Sequence, residues 1–268
     1  MHSEIIDKRD TSGDVTPNLR DYASAIKTFS WQAAASELCG LADGGLNIAF
    51  EAVDRHVQGP LRDRIALRFL AQDGAVREYS YAQLHELTNR FANVLRNLGV
   101  GPRDPVASLL GSTPDLYTAA LGTLKNGCVF CPLYAAFGPE PIRVRLNLAK
   151  AKILVTTEAL FKRKIEPQLD ALPFLEHILV SRPDGDTPPC PSCLDLSRLL
   201  ETADDRVEIR VTDPEDWALL HFTSGTTGTP KGAVHVHGAV LVHYVTGKLA
   251  LDLRPGDVFW CTADPGWV

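Results

Sequence analysis

The chain has 268 residues, 45% hydrophobic and 22% charged, and its 27 Lys and Arg against 33 Asp and Glu give a formal charge of −6. This is the composition of a soluble globular protein with core enough for one large or two smaller domains. An acidic balance with no basic block and no aromatic-basic interleaving argues against a nucleic-acid partner. Glu4, Asp7, Lys8, Arg9 and Asp10 leave no apolar signal-peptide region at the start. The longest uncharged stretch, Gly232 to Gly247, is shorter than the ~20 apolar residues a membrane span takes. A cytoplasmic location with no membrane partner is the expectation.

Residues 1 to about 20 are polar and without periodicity, so they are expected to be loosely ordered. From Tyr22 to Leu38 apolar residues recur at helical spacing, and Asn47 is placed to cap a short helix running to about His56. Ile65 to Ala71 and Ala75 to Tyr79 flank Asp73-Gly74 as the two arms of a hairpin. Ser80 and Gln83 make a capping-box pattern at the head of the clearest helix, whose apolar face runs Leu84, Leu87, Phe91, Val94 or Leu95, Leu98 and which Gly99 stops. The pattern then alternates: strand 106–110, helix 114–126, strand 128–133, helix 139–149, strand 153–156, and a further strand at 177–180. Residues 181–193, rich in Pro with Asp184-Gly185, read as a loop. A strand at 217–222 and a return strand at 233–236 follow. Such alternation predicts an α/β fold with a largely parallel sheet flanked by helices. The expected organisation is an N-terminal extension with a helical segment over residues 1–44, then one domain over 45–268.

Six cysteines include two Cys-x-x-Cys pairs, Cys128/Cys131 and Cys190/Cys193, which superficially suggest zinc. The separation of the pairs far exceeds the roughly 15–20 residues of such sites. Cys128 and Cys131 lie in an apolar run that reads as a strand, where residues three apart face opposite sides. Free thiols are therefore expected, with disulfides disfavoured in a cytosolic setting. His235, His237 and His243 have no carboxylate or cysteine at matching spacing, so no metal site is assigned; His235 and His237 would share one strand face.

The stretch carrying chemistry is Thr223-Ser224-Gly225-Thr226-Thr227-Gly228-Thr229-Pro230-Lys231-Gly232. Its glycines let backbone N–H groups approach an anion, its hydroxyls donate at short reach, and Lys231 brings a mobile cation. A nucleoside triphosphate is the natural guest. Gly232 after Lys231, where the Walker pattern needs Ser or Thr, and Pro230 before it, mark a loop different from that of the P-loop ATPases. Because the loop joins two strands, little help from a helix dipole is expected.

Phe222 to Val234 resembles the signature of the adenylate-forming (AMP-binding) enzyme superfamily. Residues 45–56, Arg90 to Leu95, His235-Val236-His237 and the segment Asp257 to Val268 are similar to its acetyl-CoA synthetase, or AMP-forming acetate–CoA ligase, branch. The likeness covers about residues 30 to 268. It implies that acetate and ATP give acetyl-AMP and pyrophosphate, after which coenzyme A takes the acyl group. Another short- or medium-chain acyl-CoA synthetase, or a non-catalytic nucleotide-binding remnant, are the alternatives.

The resemblance assigns Thr223, Ser224, Gly225, Thr226, Thr227, Gly228 and Lys231 to the β- and γ-phosphates of ATP, with Mg²⁺ bridging them and no protein ligand for the metal visible. It assigns Val268, after Gly266-Trp267, to the small acyl pocket. Lys162-Arg163-Lys164 falls where the family sets cations against the 3′-phosphate of coenzyme A, although a solvated helix face explains the same triplet. Ala135-Ala136 stands where the branch usually has a glycine pair. Asp264, before Pro265, reads as an Asx-turn residue. The adenine motif, the ribose-binding aspartate and the small C-terminal domain with its adenylation lysine have no counterpart in the sequence. No catalytic residue is therefore assigned, and the chain is expected to be the N-terminal part of the large domain and catalytically silent by itself.

Overall fold

The computed structural model describes residues 16–181, 190–223 and 229–267, in two compact units. Two short helices come first, α1 (Tyr22–Thr28) and α2 (Trp31–Ala35). The single helical segment expected over 22–38 is broken because Ser30, itself extended, caps a new helix by accepting from the Ala33 N–H at 3.1 Å.

The larger unit comprises the described residues within 39–240 and 262–267. Asn47 caps as expected, its Oδ1 accepting from the Ala49 N–H at 3.0 Å, and a π-helical turn Phe50–Asp54 leads into α3 (Arg55–Val57). Strands β1 (Ile65–Leu70) and β2 (Val76–Ser80) form the antiparallel hairpin. The capping box at Ser80 and Gln83 is complete and opens α4 (Tyr81–Asn97); Gly99 ends it at φ 76°.

Strand β3 (Pro105–Leu109), helix α5 (Pro114–Lys125), strand β4 (Val129–Pro132), helix α6 (Pro139–Ala149) and strand β5 (Ile153–Thr157) then alternate as the sequence predicts. After α7 (Glu158–Leu160) and a π-helical turn Phe161–Ile165 come β6 (His177–Ser181), β7 (Cys193–Asp195), α8 (Leu196–Thr202), β8 (Trp217–Thr223) and β9 (Lys231–Val236). The order is β7-β6-β5-β3-β4-β8-β9, parallel throughout except for the antiparallel pair β8–β9.

The connection β3–α5–β4 runs one way from β3, and β4–α6–β5 crosses back over it. The two crossover helices consequently cover opposite faces. One core gathers Phe91 and Leu95 of α4, Leu116 and Ala119 of α5 and Cys128; the other gathers Ile142 and Leu146 of α6, Phe161, Ile165 and Cys131. The two thiols thus diverge as the strand pattern predicts. At 0% exposure, Phe91 and Leu95 each contribute about 2–3 kcal/mol by burial. Helices α4 and α5 approach closely at Gly122, where a Cβ would sit 2.8 Å from the Thr88 carbonyl oxygen and from Phe91.

Two expectations for residues 181–193 are corrected. The loop ends in β7, three residues held by pairing with β6, and feeds α8, which Asp195 caps through the Arg198 N–H at 3.1 Å. Cys190 and Cys193, expected to be free, are joined in a disulfide, because the turn between them brings their Cα atoms within 4.9 Å.

The smaller unit comprises, of the described residues, 16–38 and 241–261, and its main helix is α9 (Ala239–Leu249), whose first two residues fall in the larger unit. Asn18 Nδ2 donates to the Lys248 and Leu253 carbonyls, and Glu37 accepts from Tyr244 and Lys248. No helix among the described residues is long and apolar enough to cross a membrane.

Candidate functional site

Because β4 and β8 are adjacent and parallel, through Phe130 and Leu219, the segments leaving their carboxyl ends emerge at one edge of the sheet. From β4 comes the 133–138 turn, and from β8 comes the Thr/Gly-rich loop. Ligands of open α/β sheets bind outside carboxyl ends of this kind. Ser224, Gly225, Thr226, Thr227 and Gly228 lie outside the described residues, but both flanks of their loop are described. Half-buried Thr223 ends β8, exposed Lys231 opens β9, and the two are Cα partners across the antiparallel pair. Strand pairing therefore sets Lys231 opposite Thr223.

The 264–267 turn forms a second wall. The Gly266 N–H donates to Asp264 Oδ1 at 2.8 Å and the Trp267 N–H to the Asp264 carbonyl at 3.0 Å, so Asp264 is the Asx-turn residue expected. Here glycine is required for close approach. A Cβ on Gly266 would lie 2.2 Å from the Tyr134 nitrogen and 2.3 Å from the Leu133 carbonyl carbon. Trp267, 60% exposed, sets its ring 5.1 Å from that of Tyr134 and 6.4 Å from that of Phe137. Val268 lies outside the described residues. His221 on β8 fastens the same turn, its Nε2 lying 3.2 Å from the Pro265 carbonyl oxygen, and burial holds its imidazole below the usual histidine range.

Two cations brace the 133–138 turn from below. Lys164 is 6% exposed and donates to the carbonyls of Ala135 and Phe137; burial, with Arg163 beside it, holds its ammonium below the ordinary lysine value. Arg145, also 6% exposed, stacks its guanidinium 4.4 Å over the Phe137 ring and donates to the Pro141 carbonyl. The Lys162-Arg163-Lys164 triplet is therefore not uniformly a solvated helix face. Lys162 pairs with Glu158 at 2.7 Å and Arg163 is exposed, but Lys164 turns inward, its hydrogen bonds spent on the turn instead of on a ligand.

The histidines are also separated. His235 stays on β9 with its ring 5.5 Å from that of His221, whereas His237 lies beyond the strand, fully buried, its Nδ1 accepting from the Ile48 N–H at 3.1 Å. Burial pushes the His237 imidazole down to about 4, with Asp216 opposing the shift. Among the described residues no group of three or more His, Cys, Asp or Glu is gathered to hold a metal. Sequence reasoning missed Tyr134, Phe137, Arg145 and His221. The available signal was the Tyr134-x-x-Phe137 pair directly following an apolar strand.

The family described as AMP-binding enzyme matches residues 53–268. The acetyl-coenzyme A synthetase of Bacillus subtilis (strain 168) is 38% identical over 253 residues, 94% of this chain and 43% of the relative. That of Escherichia coli (strain K12) is 30% identical over 100% of this chain and 44% of its own length. The crystal structure of Brucella canis acyl-CoA synthetase superposes with a TM-score of 0.82 at 30% identity, covering 92% of this chain and 43% of that one. The chain thus spans less than half the length of each of these proteins.

Proposed function

Because the chain belongs to the AMP-binding enzyme family, we propose that it supplies the ATP-phosphate and acyl-side walls of an AMP-forming acetate–CoA ligase. The observation carrying this reading is that the described flanks of the Thr/Gly/Lys stretch, Thr223 and Lys231, pair at the carboxyl end of β8, next to β4, after which Tyr134 packs on Trp267. A phosphate cradle beside an apolar surface is what joining a small carboxylate to the α-phosphate of ATP requires.

In this reading Thr223, Ser224, Gly225, Thr226, Thr227, Gly228 and Lys231 hold the β- and γ-phosphates, stabilising charge and fixing geometry without a covalent step. Mg²⁺ would be held chiefly by the phosphates themselves, given the lack of a gathered ligand set among the described residues. Trp267 and Val268 line the acyl pocket, backed by Tyr134. Exposed Lys162 and Arg163 face the 3′-phosphate of coenzyme A, while Lys164 shapes the turn. The family's remaining catalytic groups have no counterpart among these residues, and the 268-residue chain by itself forms no acyl-adenylate.

Titration of the chain with the magnesium complexes of ATP, ADP and AMP tests the reading. The phosphate cradle requires affinity to fall in that order, since each loss removes a phosphate the loop addresses. Equal affinities would mean that the loop does not read phosphates. Acetyl-AMP detected in a single-turnover assay would refute the claim that the chain is silent alone.

A further inference from the structure

We propose that Cys190 and Cys193 form a reversible dithiol–disulfide exchange site, attacked at Cys190 by low-molecular-weight thiols. The pair spans Cys190-Pro191-Ser192-Cys193 at the head of edge strand β7, away from the carboxyl ends of β4 and β8. The two residues differ in exposure. Cys190 is half-buried in the turn, whereas Cys193 is 2% exposed and packs into the core with Ile178 and Val180. An incoming thiol therefore reaches Cys190 first and leaves Cys193 as the buried leaving group.

The backbone holds the pair together independently of the bond between the sulfurs. The Cys193 N–H donates to the Cys190 carbonyl at 3.0 Å, and the Ile178 N–H to the Ser192 carbonyl at 3.0 Å. Reduction leaves both hydrogen bonds in place. The thiols stay neighbours, and the bond can re-form as an intramolecular reaction with its high effective concentration. Ser192 Oγ, 3.4 Å from Cys190 Sγ, is within reach to donate to a thiolate there.

The remaining cysteines lie outside the Cys190–Cys193 turn, so peptide mapping reads them apart from the pair. Cys128 and Cys131 sit in the core, where burial pushes both thiols up to about 12, and Cys39 and Cys261 are exposed free thiols.

In the forward direction a thiolate RS⁻ bonds to Cys190 Sγ while the Cys190–Cys193 bond breaks, and Cys193 departs as a thiolate that takes a proton from water. A second thiolate attacks the mixed disulfide at the sulfur of R, releasing RSSR and the Cys190 thiolate, which is protonated in turn. Two electrons pass from two small thiols to the protein. Oxidation by RSSR retraces the same steps.

The test is equilibration of the folded chain with glutathione at graded reduced-to-oxidised ratios, quenching with iodoacetamide, and peptide mass spectrometry. The fragment holding both cysteines should move from bonded to doubly alkylated across the series while circular dichroism stays native. In the single variants, C193S should acquire glutathione at Cys190, and C190S should stay unmodified at Cys193 until the chain is unfolded. Three results would each overturn the proposal: both cysteines alkylated at every ratio, a bond that opens only in denaturant, or glutathione captured by Cys193 in folded C190S in preference to Cys190 in folded C193S.

Discussion

Lys164→Met keeps the apolar stem of the side chain and removes its ammonium, leaving the Ala135 and Phe137 carbonyls without their donor. A hydrogen bond to a charged group contributes about 1.5–3 kcal/mol, so two give a gross loss of ~3–6 kcal/mol. Part is recovered, since the ammonium is itself desolvated, as the downward shift of its pKa shows. The expected net loss is about 2–4 kcal/mol. Lys162→Met is the internal control: it breaks only an exposed pair with Glu158, with a cost of about 0.3–0.5 kcal/mol. Urea unfolding at neutral pH should place the Lys164→Met midpoint well below that of Lys162→Met, with similar m-values. A second readout is local. In a background where Trp31, Trp217 and Trp260 are replaced by Phe, Trp267 emission should shift for Lys164→Met and stay put for Lys162→Met, because only the former loosens the turn against which Trp267 packs. Equal stabilities of the two variants, or a Lys164→Met loss below ~0.5 kcal/mol, would refute the reasoning by showing the triplet to be one solvated face.

Gly266→Ala puts a methyl group against backbone atoms that cannot swing aside; the 264–267 turn should lift from Tyr134 at a cost of about 1–3 kcal/mol, seen as a lower urea midpoint and altered Trp267 emission. Gly122→Ala should lower the midpoint by a similar amount, since the Thr88 carbonyl and Phe91 leave no room for a methyl between α4 and α5. An unchanged midpoint in either case would contradict the packing described. His237 binds its proton at about 4 when folded and near 6.5 when unfolded, so the unfolded chain takes up the proton first as pH falls. Stability should decline between those values by about 3 kcal/mol in all, a slope that His237→Gln should flatten in pH-dependent urea melts. An identical slope in the variant would sink this assignment.

The scaffold was legible wherever a local rule and the tertiary fold agree. Ser80 with Gln83, the stop at Gly99, the Asp73-Gly74 hairpin and the strand–helix alternation from 105 to 157 all say in sequence what the structure does. Strand β7 was not legible, because three residues carry no period and their extended state comes from pairing with β6. The break at Ser30 was overlooked because the apolar spacing runs through it, although the serine itself was the signal.

The Thr/Gly/Lys stretch is explicit in the sequence, whereas the residues that brace the neighbouring turns are not. Lys162, Arg163 and Lys164 look alike in sequence; the π-helical turn Phe161–Ile165 decides that only the third faces inward. Arg145 lies on a helix expected from the sequence, yet its role depends on Phe137, which is brought beneath it by the turn after β4. The shared strand face expected for His235 and His237 is lost because β9 ends at Val236 and His237 turns into the core.

In the proposed function residues 223–231 read the phosphates of ATP, with Lys231 paired across the strands to Thr223. Calorimetric titration of the chain and of its Lys231→Ala variant with magnesium ATP tests it most directly. Saturable binding is expected, displaced by inorganic triphosphate and weakened in the variant by roughly tenfold or more, the ~1.4 kcal/mol of a single charge-assisted contact. Unchanged affinity in the variant, or binding that triphosphate fails to displace, would contradict it.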